Sequence, residues 1–83
     1  MQRDNQRLTR LALGYLTDIK SGTLALNLPM YLNVYSAHER SIAYRFLVHY
    51  APTFKVLFPV FKSGQITQTQ MFNAVYSLLS RFQ

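Results

Sequence analysis

Residues 66–82 read ITQTQMFNAVYSLLSRF, and this stretch decides the class of fold. Thr67 and Gln70 have the spacing of a capping box, in which the threonine hydroxyl accepts from the amide three residues on and the Gln70 side chain accepts from the Thr67 amide. Ile66 and Met71 flank the box at the spacing of a hydrophobic staple. Beyond it, Met71, Phe72, Val75, Leu78, Leu79 and Phe82 recur every three or four residues, which predicts a helix over 68–82. Thr69, Gln70, Asn73, Ser77 and Ser80 give that helix a polar but almost uncharged second face.

The same grammar recurs upstream. S-A-H-E at 36–39 is a second capping box, joining Ser36 to Glu39 and predicting a helix over 37–50. Ile42, Ala43, Phe46, Leu47 and Tyr50 form its apolar face, and Tyr44 and Val48 widen it. Only His38, Ser41, Arg45 and His49 remain as a thin polar stripe, so this helix is expected to be mostly enclosed and to stand at the centre of the fold. Pro52 then ends or redirects the chain. Between Asp4 and Lys20, the residues Leu8, Leu11, Ala12, Tyr15, Leu16 and Ile19 mark a first helix, with Asp4 as N-cap and Gly22 just past the end.

Two segments read less simply. From Thr23 to Tyr35, Leu24, Leu26, Leu28, Met30, Leu32 and Val34 alternate with other residues, a strand signal taken alone. No second strand exists to pair with it, and Pro29 removes a ladder donor. An extended segment to Leu28 followed by a short helix from Pro29 is expected, with homodimeric strand pairing as the alternative. Thr53 to Lys62 is dense in apolar residues around Pro59 and predicts a short, kinked or broken helix, with Ser63-Gly64 as the turn after it. The expected fold is therefore all-α: a single helical domain over 1–83, a small bundle of four to five short helices packed around Phe46, Leu47, Leu57, Phe72, Val75 and Leu79.

Composition narrows the function. The 83 residues hold no cysteine, three acids against nine Lys and Arg, and a formal charge of +6. They are 49% hydrophobic, with six Phe and six Tyr, which excludes a disordered basic tail. Disulfides and thiolate zinc sites are excluded by the cysteine count. The longest apolar run, Val56 to Phe61, is broken by Pro59 and falls far short of a membrane span. The start is read as mature protein without a leader, and a cytoplasmic location is expected.

Catalytic groups are scarce. Asp4, Asp18 and Glu39 are the only acids, and two of them are read as helix caps. His38 and His49 lie roughly 16 Å apart along one helix, too far to share a metal or a proton. The chain is expected not to be an enzyme and to use no metal or cofactor. A calcium loop around Gly64 is rejected because its ligand positions would fall on Pro59, Phe61, Ser63, Gln65, Thr67 and Gln70, none a carboxylate. A helix-turn-helix over Thr53 to Phe82 is half matched: with Gly64 as the turn glycine, Gln70 and Asn73 occupy apolar positions of the recognition helix. In that reading Gln68, Thr69, Asn73 and Ser77 would meet base edges.

Arg3, Arg7 and Arg10 share one stripe of the first helix, with Gly14 in the same sector to let a phosphate backbone approach. Together with Arg45, Lys55 and Lys62 they form the expected nucleic-acid contacts. Tyr31, Tyr35 and Tyr44, with Phe54, Phe58 and Phe61, are more aromatic surface than so small a core is expected to enclose, and Tyr31, Tyr35, Phe54 and Phe58 are assigned to a protein partner. The function expected is a small basic regulatory accessory protein acting at nucleic acid, such as a transcriptional co-regulator that binds a repressor, polymerase or other regulator and adds phosphate contacts. A protein-protein adaptor or inhibitor, its basic face toward an acidic partner, is the alternative. Membrane-surface binding is disfavoured, since no Trp anchors the first helix.

Overall fold

The computed structural model describes the backbone of residues 2–83 and the side chains of residues 4–83. The chain forms α1 (Gln2–Ser21), α2 (Leu24–Val34), α3 (Ala37–His49), α4 (Ala51–Lys62) and α5 (Gln68–Phe82), with no strand among the described residues. Both capping boxes close. Ser36 Oγ accepts from the Glu39 amide at 3.1 Å while Glu39 Oε1 accepts from the Ser36 amide at 2.8 Å. Thr67 and Gln70 exchange the equivalent bonds at 3.1 and 2.7 Å. At the other ends, Gly22 and Gly64 take positive φ of 73° and 80°, a conformation that costs little only without a Cβ. Thr23 N–H then reaches the Asp18 carbonyl at 2.9 Å, and Gln65 N–H that of Val60 at 3.3 Å, consuming carbonyls the helix ends would otherwise leave bare. Because α1 begins at Gln2, Asp4 lies in its first turn and is not the N-cap; there its charge complements the helix dipole.

The segment expected to be extended is helical throughout. Thr23, Asn27 and Tyr31 explain why: all three donate to the Asp18 carboxylate, at 2.8, 3.0 and 2.5 Å. In a helix those residues stand on one side within about 12 Å of rise, whereas a strand would spread them over roughly 26 Å, beyond the reach of one carboxylate. Pro29 is tolerated inside α2, at the cost of the hydrogen bond its N–H would have given the Ala25 carbonyl. Likewise α4 runs unbroken through Pro59, with Pro52 in its first turn.

The centre of the bundle is α1 rather than α3. α1 packs against α5, α3 and α2, while α4 leans on α3. Asn5 bonds Ser80 at 3.3 Å and Gln83 at 2.5 Å, which sets α1 and α5 antiparallel. The buried cluster comprises Leu8, Leu11, Ala12 and Leu16 of α1, Tyr31, Ala43, Phe46, Phe54, Phe58, and Met71, Val75 and Leu79 of α5. Of the expected core, Phe46, Val75 and Leu79 are fully enclosed, and Leu47, Leu57 and Phe72 only partly. Tyr44 and Val48, read as a widening of the buried face, are instead 67% and 58% exposed, because α3 has neighbours on one side only. No buried side-chain nitrogen or oxygen among the described residues lacks a partner.

Gly14 is where Tyr31 fits. A Cβ there would stand 2.6 Å from the Tyr31 hydroxyl and 3.2 Å from its ring, so this glycine admits a neighbouring helix and not a phosphate backbone. Gly14→Ala is expected to destabilise by about 1–3 kcal/mol in a urea titration, against a gain of roughly 0.5–1 kcal/mol at an unhindered helical site. Combined with Tyr31→Phe, which removes the nearest atom, the loss should be smaller than the sum of the single losses.

Candidate partner-binding groove

Where α1, α2, α3 and α4 meet, they leave an open cleft of about 860 Å³. α1 contributes Tyr15, Leu16 and Ile19, α2 contributes Leu24 and Leu28, α3 contributes Tyr44, Leu47 and Val48, and α4 contributes Ala51 and Phe54. The sharp turn at Gly22 creates one wall by folding α2 back beside the end of α1, and the change of direction at Tyr50 creates another. Ile19, Leu28, Tyr44 and Val48 remain exposed in it, a contiguous apolar surface of the kind that marks interaction sites.

Its charged groups are of one sign. Lys20, Arg40 and Lys55 line the cleft, and no carboxylate does. The Lys20 ammonium lies 5.9 Å from the Phe58 ring centre, and Arg40 donates to the Tyr35 carbonyl. Two of the three acids are engaged elsewhere: Asp18 by its three donors, and Glu39 by Arg7. Asp4 sits in the first turn of α1. The Tyr15 phenol is pushed up by burial and pulled back by Arg40, so it stays protonated.

A second cavity, of about 490 Å³, lies on the far side of α2 between Gly14, Asp18, Tyr31, Phe61 and Met71. There the hydrogen bond from Tyr31, then that from Thr23, hold the Asp18 carboxyl below its ordinary range. Burial and then Asp18 push the Tyr31 phenol well above its usual range. The network ties helices together and leaves none of its buried polar atoms without a partner.

The residues expected to make contacts are redistributed. Arg7 donates from Nε to Glu39 Oε2 at 2.6 Å, donates from Nη2 to the Val34 carbonyl, and covers the Tyr35 ring at 4.6 Å. It is a clamp joining α1 to the start of α3, not a free phosphate ligand. Arg10, Arg45 and Lys62 are exposed on three different helices, Lys55 alone of that set lines the groove, and the Arg3 side chain lies outside the described residues. Of the four aromatics assigned to a partner, Tyr31, Phe54 and Phe58 are buried, because α1 and α3 enclose them, and Tyr35 is half-buried under Arg7. Only Phe54 also borders the groove. Among the described residues, no three His, Asp or Glu side chains gather as a metal site, and no helix is long and apolar enough to cross a membrane.

Sequence reasoning counted Tyr44 in the surplus aromatic surface but missed Ile19, Lys20, Arg40 and Val48. The signal was present: apolar residues cover more of α3 than one neighbouring layer can bury, and Arg40, Tyr44 and Val48 repeat at intervals of four. Comparison with models of known protein families, with curated proteins and with solved structures gave no match to this chain.

Hydrogen bonds hold both Asp18 and Glu39 below their ordinary values, Tyr31 leading for the first and Arg7 for the second. Both therefore bind protons more weakly when folded, and the stability they confer is complete above about pH 5 and lost as pH falls through their folded values. Asp18→Asn is expected to lower the urea midpoint at pH 7 and to flatten its decline between about pH 5 and pH 2. A decline as steep as that of the unaltered chain would remove Asp18 from this role.

Proposed function

We propose that the chain is a small, basic, non-enzymatic regulatory accessory protein that acts by holding a protein partner in the groove between α1, α2, α3 and α4. The observation that carries this reading is the groove itself: an exposed apolar cleft whose charged groups are Lys20, Arg40 and Lys55 alone. Apolar contact supplies affinity there, and one-signed charge supplies orientation and association rate. A non-catalytic role agrees with the engagement of Asp18 and Glu39 in holding helices together.

Phosphate contact by the same protein is the second reading. It draws on Arg10, Arg45 and Lys62, which are exposed and make no ion pair within the described residues, in a chain of net charge +6. The two readings combine in a co-regulator that grips a DNA-binding protein and reaches the backbone with its outer cations.

Photo-crosslinking from position 44, followed by purification of the captured protein and its titration, tests the groove. The expected result is binding by the unaltered chain that weakens at least about tenfold in Val48→Glu, a surface change with little effect on folding. Equal affinity of both would dismiss the groove. For the second reading, a labelled duplex titrated at low and near-physiological salt should bind with a steep salt slope, reduced by about one in Arg10→Ala. Absence of binding at low salt would leave protein contact as the whole function.

A further inference from the structure

Resting on the groove as a protein-binding site, we infer that its occupant is a single amphipathic α-helix of the partner, with an apolar stripe flanked by acidic residues. The walls specify the shape. Each is a helix, and the described residues include no strand, so an extended segment would find no row of free backbone groups on which to add. The walls instead offer side chains one turn apart, Leu24 with Leu28 and Tyr44 with Val48, ridges between which the rows of another helix seat. From Arg40 to Val48 the α3 wall rises about 12 Å, the length of two to three helical turns.

The rim specifies the charge. Lys20, Arg40 and Lys55 stand on three different helices around the cleft, so an occupant must present carboxylates on more than one side of its apolar stripe. A lipid or fatty acid offers a single headgroup to those three cations. A second copy of this chain brings another +6, and its most apolar helix, α2, contains no acid to answer them. An acidic amphipathic helix satisfies both the apolar floor and the separated cations.

The test titrates the full chain with a fluorescein-labelled helical peptide of about twelve residues, Leu on one stripe and Glu on its flanks. Two further peptides serve as controls: the same stripe with Lys replacing Glu, and a scramble of equal composition. The Glu peptide is expected to saturate, to shift the amide resonances of Leu28, Tyr44 and Val48, and to bind at least about tenfold more tightly than either control. Lys55→Glu and Val48→Glu should each weaken it by about tenfold, with circular dichroism unchanged.

Equal binding of the Lys or scrambled peptide overturns the inference, as does binding that shifts resonances elsewhere, or no binding by any peptide. Tighter binding of laurate or of phosphatidylglycerol vesicles through Tyr44 and Val48 overturns it in favour of an anionic lipid. If crosslinking at position 44 captures a groove-dependent protein while the Glu peptide fails, the helix is wrong and the groove reading stands; if both fail, both are lost.

Discussion

One carboxylate near the end of the first helix decides where the second helix goes. Asp18 is 8% exposed, and its charge is tolerable because Tyr31, Thr23 and Asn27 all donate to it. Those donors must come from one helical face, and satisfying them fixes both the conformation of α2 and its position beside α1. Gly22 makes the necessary reversal, and Gly14 makes the space for the Tyr31 ring. A second tether, Arg7 on Glu39 and the Val34 carbonyl, fastens the far end of α2 to α1 and to the capping box of α3.

The placement of the acids has an electrostatic result. Asp18 is spent inside and Glu39 against Arg7, so two of the three negative charges hold the bundle together. The charged side chains left lining the cleft are cations only. A small chain with α1 at its centre has too few elements to cover every apolar face of α2 and α3, and the uncovered sides meet at the groove.

Helix starts were legible because capping is local: the boxes at Ser36 and Thr67 involve residues three apart, and both form. The all-α class followed from them, as did the glycine ends of α1 and α4. α2 was misread because its alternation of apolar residues is real but irrelevant; the polar residues Thr23, Asn27 and Tyr31, four apart, carried the helical period, and their common target lies five to thirteen residues away. Arg7 and the aromatics illustrate a harder limit. Charge and aromaticity can be counted in a sequence, but whether Arg7 meets phosphate or Glu39, thirty-two residues on, depends on packing between helices that no local pattern encodes.

Two walls of the groove, α2 and α4, are also the helices interrupted by proline. At Ala25 and Lys55 the carbonyl loses its donor from four residues ahead, and these helices are packed on fewer neighbours than α1. Local opening should therefore begin in α2 and α4, with their amides exchanging with solvent before those of α1 and α5. The cleft is thus backed by the most widely packed helix, α1, and walled on two sides by the proline-interrupted helices α2 and α4.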